Sequence, residues 1–169
     1  MAKPTPGDYP VYFQRYIDQV REDDLMTAFH DQAPKIGNFL SSLNEERSSY
    51  AYAEGKWTLR ELLQHVIDTE RIFNYRALCI ARNEKVSLPG FDEDQYAAYS
   101  NANSRTWQRL AEELLVVRQG TESLFSSFSQ EALSSIGTSN GKPVSVAAIG
   151  FITIGHIYHH IQIVNERYR

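Results

Sequence analysis

Apolar residues recur every three or four positions along four stretches of this chain, and no stretch alternates long enough to build a sheet. The first stretch covers 12–44, with Leu25, Phe29, Ala33, Ile36, Leu40 and Leu43 on one stripe. Pro34 lies inside it and removes a backbone donor, which predicts a kink or break there. Residues 44–56 read as a loop. A second helix is expected over 59–83, its stripe marked by Leu62, Val66, Thr69, Phe73, Arg76 and Ile80. Thr58 and Glu61 have capping-box spacing at its start. Pro89-Gly90 closes the next connection, and 91–103 reads as loop or short turns. The third helix starts with Ser104 as N-cap and carries Trp107, Leu110, Leu114, Val117, Leu124 and Phe128; Gly120 within it costs about 1 kcal/mol against Ala. Residues 137–143 form a turn cluster, either a short hairpin tip or a plain loop. Ser145 then caps a last helix over 146–168. Four long helices with three connections predict an all-α four-helix bundle. One domain is expected over 11–169, behind a flexible tail at 1–10 set by Pro4, Pro6 and Pro10.

Composition narrows the classes of function. The chain has 169 residues, a length that suits one domain. Hydrophobic residues make up 42% of it, enough for a core and against disorder. The net charge is −4, and Lys and Arg are scattered, so the basic patch that nucleic acid requires is missing. The single cysteine, Cys79, cannot close an intramolecular disulfide, which suits a reducing, cytoplasmic setting. No apolar segment resembles a signal peptide or a run of about 20 residues spanning a membrane, so neither is expected.

Three of the five histidines crowd into 156–160. His156 and His160 are four apart and lie on one helix face. Ile149, Ile152, Thr153, Ile163 and Val164 share that face, so the pair is expected to point inward. His159 is rotated by about 100° from His160, to the flank. His65, beside Val66 and one turn past Leu62, sits on the inward edge of the second helix. Three neutral imidazoles from two helices suit a divalent ion of zinc or nickel type, and an open fourth position marks a catalytic site. Hydrogen-bonded core histidines are the competing account. No Glu follows His156, so the protease signature His-Glu-x-x-His is absent.

Other residues read more plainly. His30 is expected at the surface, and Cys79, about 21 Å along the helix from His65, as a core filler. Glu61 caps its helix and Asp68 faces solvent, although either could orient an imidazole. Trp57 and Trp107 anchor packing or line a pocket mouth. Tyr158 points away from the histidines, toward a helix or dimer contact. The acidic segment 91–96 is expected to be solvated, with a role in covering the site as the alternative.

The segment Gly55-Lys-Trp-Thr-Leu-Arg-Glu-Leu-Leu-Gln-His65-Val-Ile-Asp-Thr-Glu70 resembles the second helix of the DinB/YfiT-like superfamily, where a Trp-Thr or Trp-Ser start precedes a metal-binding His. Gly155-His156-Ile-Tyr-His159-His160-Ile resembles its last-helix His-x-x-x-His motif, and Phe91-Asp92-Glu93 also fits. The likeness covers roughly 20–168. It implies a four-helix bundle with a divalent metal, zinc or nickel, held by His65, His156 and His160. It further implies a thiol S-transferase acting on small electrophiles with bacillithiol, mycothiol or glutathione. A hydrolase using metal-activated water is the alternative, and a non-enzymatic stress-response bundle that binds a partner is the third. With one cysteine in the chain, the reacting thiol is expected to come from solution. A homodimer is also expected.

Overall fold

The computed structural model describes residues 2–168; Met1 of the expected tail and Arg169 of the expected domain lie outside the described residues. A 3-10 turn at Val11–Phe13 leads into α1 (Gln14–Ile17), followed by α2 (Leu25–Ser41), α3 (Glu45–Ser48), α4 (Leu59–Ala81) and α5 (Glu93–Tyr99). Then come α6 (Trp107–Ser126), α7 (Gln130–Ser134), β1 (Ile136–Ser139), β2 (Lys142–Ser145) and α8 (Val146–Arg167). The four long helices α2, α4, α6 and α8 form the bundle, and each starts on a side-chain cap. Asp24, Thr58, Thr106 and Ser145 accept from the backbone amides of Thr27, Glu61, Arg109 and Ala148. Glu61 returns the bond to the Thr58 amide and completes the capping box.

Several local expectations change. The stretch 12–44 is not one helix: it breaks between Ile17 and Leu25 and runs on through Pro34. Asp24 starts a new helix with its own cap. Pro34 and the residue one turn before it, His30, face outward, so the carbonyl left without a donor can turn to water. Ser104 belongs to a 3-10 turn, and the cap of α6 is Thr106, two residues on. The segment 44–56 contains the one-turn helix α3, and 91–103 contains α5, whose cap Asp92 accepts from the Gln95 amide. The turn cluster is a hairpin tip. Strands β1 and β2 pair antiparallel from Ile136↔Ser145 to Ser139↔Lys142 around Asn140 and Gly141, both at positive φ. The expected tail is docked over its C-terminal half: Tyr9 is buried, and the Ser145 amide donates to the Asp8 carbonyl.

The interior divides into two apolar clusters stacked along the bundle axis. On α4 the division falls at Thr69 and Glu70, on α6 at Arg118 and Thr121, on α2 at Gln32, and on α8 at His156. All six side chains are buried polar groups, so a polar layer crosses the bundle at its waist. Helix α8 runs through the middle of both halves. It is long and apolar enough to cross a membrane, but 72% of that apolar window is buried inside the bundle, as a core helix requires. Gly155 lets α1 approach α8: a Cβ there would land on the Tyr16 carbonyl. The Tyr16 ring is thereby set edge-on to His156, with centroids 5.5 Å apart.

Candidate metal centre

His65 lies two turns into α4, in a position fixed by the capping box at Thr58. His156 and His160 follow each other by one turn on α8, with ring centroids 4.4 Å apart. The contact between α4 and α8 brings the three together. Nε2 of His156 is 3.2 Å from Nε2 of His65 and 3.0 Å from Nε2 of His160. One nitrogen from each of the three lies within 4.8 Å of the others. Phe73 and Trp57 complete the wall, their rings 6.2 Å from His156 and 4.8 Å from His65.

Burial dominates the electrostatics. It pushes His65 down to about 4. It also holds His156 and His160 well below the ordinary imidazole range, with the neighbouring imidazoles adding to the effect. All three rings are therefore neutral near pH 7, the form in which imidazole binds a metal. Three converging Nε2 atoms cannot satisfy one another, because each hydrogen bond between them needs one donor and one acceptor. His160 Nδ1 is also buried without a partner. A divalent ion fits this donor set: tetrahedral coordination at about 2.0–2.1 Å separates ligand nitrogens by about 3.3 Å.

The flanking residues divide as follows. Glu61 is occupied by its cap. Asp68 is half-buried rather than solvated, accepting from Gln64 Nε2 at 2.9 Å. His159 stands beside the cluster, its ring 5.3 Å from that of His160 and 5.2 Å from that of Tyr16. His30 is at the surface against Asp31. Cys79 packs against the apolar core. Trp107 is buried and donates to the Leu40 carbonyl, whereas Trp57 lines a cavity. Tyr158 accepts from Lys35 Nζ at 2.9 Å and ties α8 to α2.

That cavity measures about 620 Å³ and reaches the three histidines. Its walls include Phe13, Tyr16, Phe73 and Phe91, and its charged residues are Arg15, Arg76, Lys142 and Glu93. Phe91 and Glu93 thus take part in the wall, the alternative that was expected for the acidic segment, while Asp92 and Asp94 are exposed. Arg15, Tyr16 and Arg76 were not singled out by sequence reasoning. Arg76 did carry a signal, as a charged residue on an inward stripe.

The model of the DinB superfamily matches residues 28–164. A curated protein of Oceanobacillus iheyensis, named for an inferred metal-dependent hydrolase activity, is 30% identical over 69 residues, which cover 41% of this chain and 40% of that protein. The chain thus matches less than half the length of this relative. The structure of YfiT from Bacillus subtilis, a probable metal-dependent hydrolase with an unusual four-helix bundle topology, superposes with a TM-score of 0.70 at 13% identity, covering 97% of this chain and 90% of that one. The mycothiol-dependent maleylpyruvate isomerase superposes with a TM-score of 0.66 at 15% identity, covering 94% of this chain and 62% of that one. At such identities the likeness is one of fold. The family match spans most of the chain, from α2 through the histidines of α8, and the chain belongs to the DinB superfamily.

Proposed function

We propose that this chain is a metal-dependent enzyme that transfers a thiol from solution to a small electrophile, with His65, His156 and His160 holding a divalent ion, zinc or nickel. The carrying observation is the convergence of three neutral imidazole nitrogens on a large cavity. When bound, such an ion lowers the pKa of a thiol toward neutrality. The residues of the chain supply the rest. Trp57 and Phe73 shield the imidazoles from water. His159, kept neutral by partial burial, is the base that takes the thiol proton. The S–H bond breaks, a sulfur–carbon bond forms at the electrophile, and the proton passes from His159 to the leaving group.

The cavity suits an organic thiol as nucleophile: at about 620 Å³, with Phe13, Trp57, Phe73 and Phe91 in its wall, it falls in the size range of pockets that take up an organic molecule. The carboxylates next to His65 in sequence are engaged elsewhere, Glu61 with Thr58 and Asp68 with Gln64, which leaves His159 as the base beside the cluster. A hydrolase with the same three ligands is the second reading, supported by the names of the Oceanobacillus iheyensis and Bacillus subtilis relatives. Metal analysis of untagged protein purified without nickel resin tests the site. About one ion per chain is expected in the parent, and most of it lost in His160→Ala. Undiminished metal in that variant would sink the reading. Turnover that requires added thiol separates transfer from hydrolysis.

A further inference from the structure

Arg76 is only 7% exposed, yet it lines the cavity and forms no ion pair among the described residues. Its Nη2 donates to the Pro89 carbonyl at 2.7 Å. Its guanidinium carbon lies 5.9 Å from the ring centroids of both Phe73 and Phe91. Both rings lie within cation–π distance of the guanidinium, and burial disfavours its charge. Buried arginines ordinarily have a carboxylate partner, and this one faces a cavity instead. Two other groups lining the cavity are also without partners: Thr69 Oγ1 and Ser139 Oγ, both buried. Charge in the lining favours an anion, with Arg15, Arg76 and Lys142 against Glu93. Phe73 relates the two ends of the cavity. Its ring is 6.2 Å from that of His156 and 5.9 Å from the Arg76 guanidinium carbon, which bounds their separation at about 12 Å.

We propose that Arg76 binds the carboxylate of a small-molecule substrate, so that this enzyme acts on carboxylate-bearing compounds short enough to reach from Arg76 to the three histidines. The assignment of these compounds as substrates rests on the enzymatic reading above; the anion site itself does not. A planar carboxylate matches the guanidinium fork in two parallel hydrogen bonds.

The test follows the Arg76 Nε–H signal of the ¹⁵N-labelled full-length chain during titration with hexanoate, hexanol and inorganic phosphate. Hexanoate should move that signal saturably, and hexanol should not. Arg76→Gln should weaken hexanoate by about tenfold or more, as loss of a charge-assisted pair requires. A parent chain whose Arg76 signal ignores hexanoate overturns the proposal without any variant. Tighter binding of phosphate than of hexanoate overturns the carboxylate assignment. Cobalt-loaded protein then identifies the carrier through its thiolate absorption. A preference for ω-mercaptohexanoate over ω-mercaptohexanol assigns the carboxylate to the thiol; equal binding, with hexanoate still on Arg76, assigns it to the electrophile. Failure to bind cobalt would defeat the metal reading while the Arg76 titration still decides the anion site.

Discussion

His65 shows what burial does to a single ring at this site. An imidazole in the unfolded chain takes up a proton near its ordinary value of about 6.5. In the fold, burial holds His65 neutral down to about 4. Between these values the unfolded state binds more protons, so stability falls as pH falls. The contribution is fully present above pH 6.5 and is lost as pH drops through about 4. Metal-free protein should therefore show a melting temperature that declines across this window, and His65→Gln should flatten the decline. An equal slope in the variant would contradict the assignment to His65. The three histidines could be read from sequence because helix geometry fixes i,i+4 neighbours and apolar phase fixes which face is inward. Tyr16 and Arg15 could not, because their place beside His156 and His159 depends on a chain break before Leu25.

Among the elements, those with local chemistry were the legible ones. The Thr58–Glu61 box is written in four residues, and α4 begins where it dictates. Thr58→Ala should cost about 1 kcal/mol in urea unfolding. The break at 18–24 was hidden because no Pro or Gly punctuates it, and α5 because a seven-residue helix has too few turns to show a period. Two glycines separate the local effect from the tertiary one. A methyl group added at Gly120 on α6 would meet nothing within 4 Å, so Gly120→Ala should stabilise by up to about 1 kcal/mol. Gly155→Ala gains the same helix propensity but pushes the methyl into the Tyr16 backbone. Overpacking of this kind costs about 1–3 kcal/mol, and the net change should be destabilising. Thermal melts of the two variants that shift in the same direction would refute the close approach of α1 to α8.

Across the whole molecule, the polar layer at the waist explains why the apolar interior is not continuous. Glu70 and Arg118 are 1% and 4% exposed. Glu70 accepts from Arg118 Nη2 at 2.9 Å and from Thr121 Oγ1 at 2.5 Å. Burial still raises the Glu70 pKa, with Arg118 opposing the shift. Arg118 Nε and Nη1 are buried without partners, so the pair is incompletely satisfied. Two charges removed from water at such a layer contribute little net stability, yet each one makes the loss of the other expensive. Glu70→Leu or Arg118→Met alone should therefore cost about 3–5 kcal/mol, because each strands a buried charge. The double variant Glu70→Leu/Arg118→Met should recover most of that loss, since it leaves neither charge stranded and puts apolar side chains where α4 and α6 meet at the waist. Urea unfolding of the four proteins forms a double-mutant cycle. A coupling energy of about 2 kcal/mol or more is expected for residues in direct contact. Strictly additive losses would mean that α4 and α6 are held by their apolar faces alone, and that the waist plays no part in joining them.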